Sequence, residues 1–268
     1  HMTKYAEMII DPKTVKYHIQ KALYLAKTGR PGPVWLDVPL DIQGGYIDPE
    51  EFIEFNPQEL EADQAPSVTE ECIETVIEKI KKAKRPVLNV GSAIHTTNTV
   101  ELMRKVAEKL NIPVAVAWDS SDLMSHDNDL FVGIPGLLGD RPGNWAIQNA
   151  DLVLSVGCRL SCRQVGYNMK SWAREAYVIM VDIDQYELMK PSIHVEMPIH
   201  ADAKDFLQKL DKALIEPLEP HEEWLTICRD WKKNYPVVTE KHYRKEGAAN
   251  AYCFLNEVSR KAPEDQYI

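Results

Sequence analysis

Short apolar runs recur along this chain at a near-constant interval, and that interval limits the possible folds more than any other feature. "RPVLNVGSAI" and "IPVAVAW" start about 27 residues apart, and "ADLVLSVGCRL" and "AYVIMVDID" repeat the step at about 26, the spacing of a strand-helix-strand unit. Between the first two runs, "TNTVELMRKVAEKLN" places Val100, Met103, Val106, Ala107 and Leu110 on one side of a helix. Two such units in succession predict an α/β fold, a doubly wound parallel sheet with helices on both faces. "MPIHADA" reads as a last short strand and "AKDFLQKLDKAL" as the closing helix.

The flanks read differently. "DPKTVKYHIQKALYLAKTG" is a helix that Asp11 can cap, with Pro12 at the first helical position and Gly29 as its stop. Val15, Ile19, Ala22, Leu23 and Ala26 share one face of it. "PVWLDVPL" then reads as a buried strand, apolar on both faces. One helix cannot cover such a strand, so the opening residues read as the tail of a domain that starts upstream. Residues 44–66 are acidic and irregular and read as a linker. Ser67 with Glu70 forms a capping-box pattern ahead of the helix bearing Ile73, Val76, Ile77 and Ile80. Beyond "EPLEPHEE", helices are expected around Trp224–Asn234 and Ala249–Ala262, and "PEDQYI" reads as the approach to a further domain. The expected division is 1–43, 44–66 as linker, 67–215 as the central domain, and 216–268.

Composition removes several classes of function. The net charge is −10, with no basic stripe carrying aromatics, which argues against nucleic acid. No run reaches the roughly 18 apolar residues of a membrane span. The cysteines, Cys72, Cys158, Cys162, Cys228 and Cys253, form no C-x-x-C pair, so a reducing cytoplasm is expected and structural zinc is not. Cys158 and Cys162 read as two small apolar side chains near a strand end. His1 and Met2 read as a cloning remnant.

Three segments carry a resemblance: "TGRPGPVWLDVPLDIQ", "AKRPVLNVGSAI", and "VGIPGLLGDRPGNWAIQNADLVLSVGCRLSCRQVGYN". They resemble the thiamine-diphosphate-dependent enzymes, in the acetolactate-synthase-like branch. The first is similar to the end of that family's pyrimidine-binding domain and the others to its Rossmann-like central domain. The resemblance implies a parent enzyme that is a transferase or lyase acting on a 2-oxo acid with thiamine diphosphate and Mg²⁺, as a dimer or tetramer. It also implies that both halves of the thiamine site lie outside this chain. The family's G-D-G signature does not occur, since Gly139 and Asp140 are followed by Arg141, and the activating glutamate would lie upstream. The chain alone is therefore expected to be inactive, with no catalytic residue and no metal ligand of its own.

The central domain remains a candidate nucleotide site. Small residues at a strand end, Gly91, Ser92 and Ala93, let backbone amides approach a diphosphate, and Asp182 at a later strand end can accept from a ribose. The resemblance adds Gly157, Arg159, Asp184, Glu187 and Asp202 around the same ligand, either FAD or ADP. The alternative is a purely structural, oligomer-forming scaffold without a ligand, in which Ser92 and Ala93 crowd the diphosphate and Trp118 fills the cavity. A nicotinamide dehydrogenase would want G-x-G-x-x-G, which "NVGSAIHT" lacks. A sirtuin-like deacylase would need zinc cysteine pairs. His95, His126 and His200 have no nucleophile or carboxylate at motif spacing.

Overall fold

A computed structural model describes residues 2–63, 65–243 and 246–263. It opens with a strand the sequence pattern did not announce, β1 (Tyr5–Met8). Asp11 accepts from the Lys13 amide at 3.0 Å, and Pro12 begins a short turn into α1 (Val15–Lys27). Gly29, at φ +59°, reverses the chain towards β2 (Val34–Asp37), which pairs in parallel with β1, and α2 (Leu40–Gln43) follows.

The expected burial of this region is not what the structure shows. Only Ala22 is buried on α1, and β2 alternates with Trp35 67% exposed. A parallel strand is covered only when helices sit on both faces. Here one helix and one partner strand are the main cover among the described residues.

The next helix, α3 (Glu70–Lys82), corrects the expected capping box. Thr69 is the cap, its hydroxyl accepting from the Cys72 amide at 3.2 Å, while Ser67 donates to Asp205 at 3.0 Å. Asp205 also accepts from the Val68 amide at 2.7 Å, so Ser67 and Val68 are tied to a distant helix before α3 starts.

From here the chain follows the predicted rhythm: β3 (Pro86–Val90), α4 (Ala93–Thr96), α5 (Val100–Leu110) and β4 (Val114–Val116). An unexpected short strand comes next, β5 (Phe131–Gly133), then α6 (Arg141–Asn149) and β6 (Leu152–Val156). The domain continues with α7 (Cys162–Val165), β7 (Tyr177–Asp182), α8 (Gln185–Leu188), β8 (Met197–His200) and α9 (Ala203–Ala213). The strands form one six-stranded, all-parallel sheet in the order β5-β4-β3-β6-β7-β8.

Every residue of β3 and β6 is buried, because both faces carry helices. Alternate residues serve two cores. Leu88, Val90, Leu154, Val156 and Ile179 meet α3, α5 and α9 on one face. Val87, Val153, Val178 and Met180 meet α6 on the other. Each fully buried aliphatic or aromatic side chain is worth about 1.5–3 kcal/mol relative to exposure, against about 0–1 for an exposed ion pair, so these two cores hold the domain.

The second core extends past the domain's last expected residue. In α10 (Glu222–Asn234), Trp224, Leu225 and Cys228 are buried, and the Trp224 indole donates to the Pro86 carbonyl at 3.1 Å. Trp231 meets both Trp145 and Trp224 edge-on. The last helix, α11 (Ala251–Lys261), buries only Cys253. No helix is long and apolar enough to cross a membrane among the described residues.

Candidate functional site

The sheet grows outwards in two directions from the β3–β6 pair, since β4 and β5 lie on one side and β7 and β8 on the other. At such a reversal the turns leaving the two central strands lead to opposite faces of the sheet, and a crevice opens at the strands' carboxyl ends. Those turns carry Gly91–Ser92–Ala93 and Gly157–Arg159.

The two turns touch. A Cβ on Gly91 would stand 2.6 Å from the Cys158 Cα and from the Gly157 carbonyl oxygen. Gly157, at φ +60°, would place one 2.4 Å from the Ala93 Cβ. Both glycines are thus demanded by the packing of turn on turn. Their amides are engaged as well: Gly91 N donates to Val156 O at 3.2 Å, Ala93 N to Gly157 O at 3.2 Å, and Gly157 N to Val181 O at 3.0 Å. Of the expected Gly91–Ala93 cradle, only the Ser92 amide carries no such bond among the described residues.

A cavity of about 210 Å³ opens beside this contact, with Ser92, Ala93, Gly157, Arg159, Asp182 and Asp202 in its wall. Gly91 is not in that wall. It borders a separate cavity of about 40 Å³ with Trp118 and Cys158. The expectation that Trp118 fills the nucleotide cavity is therefore corrected: its ring lies outside, under the Arg163 guanidinium at 4.7 Å.

The acidic candidates divide by role. The Asp182 carboxylate accepts from the Asp184 amide at 2.9 Å, and burial raises its pKa against the opposing pull of that amide and of Arg30. Asp202 caps α9, accepting from the Lys204 amide at 2.7 Å, and also borders the crevice. Asp184 caps α8 and faces a neighbouring groove of about 600 Å³.

Glu187 stands behind the crevice wall. Its side chain pairs with Arg159 at 2.5 Å, Lys190 at 3.1 Å and Arg30 at 3.3 Å. Burial raises the Glu187 pKa, but the bond to Lys190 and the charges of Lys190 and Arg159 outweigh it, leaving the group below its ordinary value. Lys190 in turn donates to the carbonyls of Arg159 and Leu160. Glu187 therefore aims Arg159.

The histidines assemble no nucleophile. His95 meets Asp122 at 3.0 Å at the surface, His200 meets the Ile183 carbonyl at 3.0 Å, and His126 lies against Phe131. Cys158 is buried, which pushes its thiol up to about 11 and keeps it protonated, whereas Cys162 is exposed.

Two features escaped the sequence. Arg30, from the segment before β2, reaches across to the crevice and pairs with Asp184 at 3.4 Å. Asn89 and Ser155 are wholly buried in adjacent central strands. Their signal was present: "VLNVG" and "VLSVG" put a polar residue at the same place in two otherwise apolar strands.

A family model described as thiamine pyrophosphate enzyme, central domain, matches residues 73–210. The probable acetolactate synthase large subunit of Methanocaldococcus jannaschii is 31% identical over 234 residues, covering 87% of this chain and 39% of that protein. For the acetolactate synthase isozyme 1 large subunit of Escherichia coli K12 the figures are 32% over 240 residues, 90% and 41%. The large subunit of Corynebacterium glutamicum is 32% identical over 240 residues, 88% and 37%. The chain spans about two fifths of the length of these relatives. On the match across residues 73–210, which includes the crevice's strand-end turns but not Arg30, this chain belongs to the thiamine pyrophosphate enzymes and carries their central domain.

Proposed function

We propose that this chain is the central portion of a thiamine-diphosphate-dependent 2-oxo-acid carboligase or decarboxylase, a cytoplasmic homodimer or tetramer, and that its crevice takes an adenine nucleotide, ADP or the adenosine diphosphate half of FAD. The observation that carries the nucleotide reading is the convergence of Asp182, Arg159 and Arg30 on one cavity at the sheet reversal. Asp182 would accept from a ribose hydroxyl. The two guanidiniums would face the phosphates. Side chains rather than backbone amides would hold the ligand, since Gly91, Ala93 and Gly157 already donate elsewhere.

Thiamine diphosphate, which supplies carbanion chemistry to such enzymes together with Mg²⁺, does not fit the residues present. Asp140, which follows Gly139, accepts from the amides of Gly143 and Ile134 at 2.7 and 2.9 Å and closes its own loop. The described residues hold no group of three or more histidine, cysteine or acidic side chains that could bind a metal ion. Given thiamine diphosphate, Mg²⁺ and pyruvate, the chain should release no CO₂ above background. Measurable release from clean protein would overturn this reading.

A second reading, the ligand-free scaffold, is favoured by the occupied amides and by Ser92 and Ala93 in the cavity wall. Calorimetric titration of ADP and FAD separates the two. Asp182→Ala removes a hydrogen bond to a charged group and should weaken binding about 10- to 100-fold. No heat from the native chain at millimolar ligand would support the scaffold, and equal binding by both proteins would place the nucleotide elsewhere.

A further inference from the structure

The turn that carries Arg159 is strained. Gly157 stands at φ +60° and Leu160 at φ +51°, and the second value is unfavourable for a residue with a branched side chain. Such a turn persists where its surroundings over-determine it. Lys190 holds it from one side through the carbonyls of Arg159 and Leu160. From the core side it is held by a chain of buried polar groups. The Cys158 thiol donates to Gln164 Oε1 at 2.6 Å, Gln164 Nε2 donates to Asn89 Oδ1 at 2.7 Å, and Asn89 Nδ2 donates to Ser155 Oγ at 3.1 Å.

The four residues span β3, β6, the turn and α7, and none is more than 4% exposed. Apolar side chains of the same shape would pack here about as stably, so stability alone does not account for the chain. What it adds is direction, because each bond sets the position of its partner. Gln164 is the hub, joining a strand on one side of the sheet reversal to the turn on the other.

We propose that Gln164 is the positioning residue for Arg159: acting through Cys158, it fixes the 157–160 turn so that the guanidinium meets the anionic part of a nucleotide in the crevice. The inference rests on the nucleotide reading above. Arg159 is then steered twice, by Glu187 at its side chain and by Gln164 at its backbone.

The test compares ADP with adenosine, which lacks the phosphates, by calorimetry on the native chain and on Gln164→Leu. A displaced Arg159 costs only the ligand that carries phosphate. ADP affinity should fall about 10- to 100-fold and adenosine affinity stay unchanged. An equal loss for both ligands is what a merely structural role would produce, and that result, or no loss at all, overturns the proposal. Should Gln164→Leu fail to fold, Cys158→Ala cuts the same chain at the turn and should show the same selective loss. If the native chain binds neither ligand, the nucleotide reading falls and amide exchange judges the positioning. Gln164→Leu must then speed exchange across residues 157–161 while leaving α5 and α9 unchanged, and unchanged exchange in the turn overturns it.

Discussion

The two sheets of this molecule start from similar sequence and end in different states. In β3, "PVLNV" is buried at every residue, while in β2, "VWLD" leaves alternate residues open. The difference lies in the neighbours. β3 has strands on both edges and helices over both faces, and β2, among the described residues, pairs with one strand and packs mainly on one helix. Apolar character makes a strand able to be buried, but cover from elsewhere in the chain decides whether it is. The same contrast separates α9, where Phe206, Leu207 and Leu210 are buried, from α1, where only Ala22 is.

The contrast can be broken at its strongest point. Phe206 is wholly buried between the sheet and its helices, and Phe206→Ala should cost about 3–5 kcal/mol in denaturant unfolding. A loss below about 1 kcal/mol would mean that this core is far looser than its burial implies. Next in size is Gly91→Ala. Its new methyl would meet backbone atoms of Gly157 and Cys158, which cannot step aside, so a loss of about 1–3 kcal/mol is expected. Trp35→Ala in the small sheet should stay within about 0.5 kcal/mol of the native chain, being a change at the surface. A large loss there would show that β2 is covered in solution.

The finest test uses pH. Glu187 has its carboxyl below the ordinary value in the fold, so the unfolded chain takes up that proton first as pH falls. Its contribution is complete above the unfolded value, about 4.3, and is lost as pH drops through the lower folded value. Denaturant midpoints at neutral pH and in that acidic window should therefore fall further for the native chain than for Glu187→Gln. Equal falls would show that the Arg159–Lys190–Arg30 cluster adds nothing to stability.

Much of the central domain was legible because its signals are local. The spacing of "RPVLNVG" and "IPVAVAW", the helical face of Val100 to Leu110, and the helical run "AKDFLQKLDKAL" each need only neighbouring residues. β1 and β5 were missed for the same reason. "YAEM" and "FVG" are too short to show a period, and each is a strand because a partner distant in the sequence, β2 or β4, supplies its hydrogen bonds. Thr69 displaced Ser67 as the cap of α3 because Asp205, far along the chain, holds Ser67.

At the crevice the division is sharper. Residue types and their order determined which strands end in small residues, that Asp182 closes β7, and that the sheet would be parallel, since all of these follow from local pattern and from the geometry of strand-helix-strand units. Only the tertiary structure decided that Gly91 and Gly157 are demanded by the packing of one turn on the other, that their amides are already engaged, that Glu187 serves Arg159, and that Arg30 arrives from a different segment. The reason is physical. Hydrogen-bond capacity is consumed by whichever partner lies within about 3 Å, and that partner here comes from strands and loops tens to more than a hundred residues away.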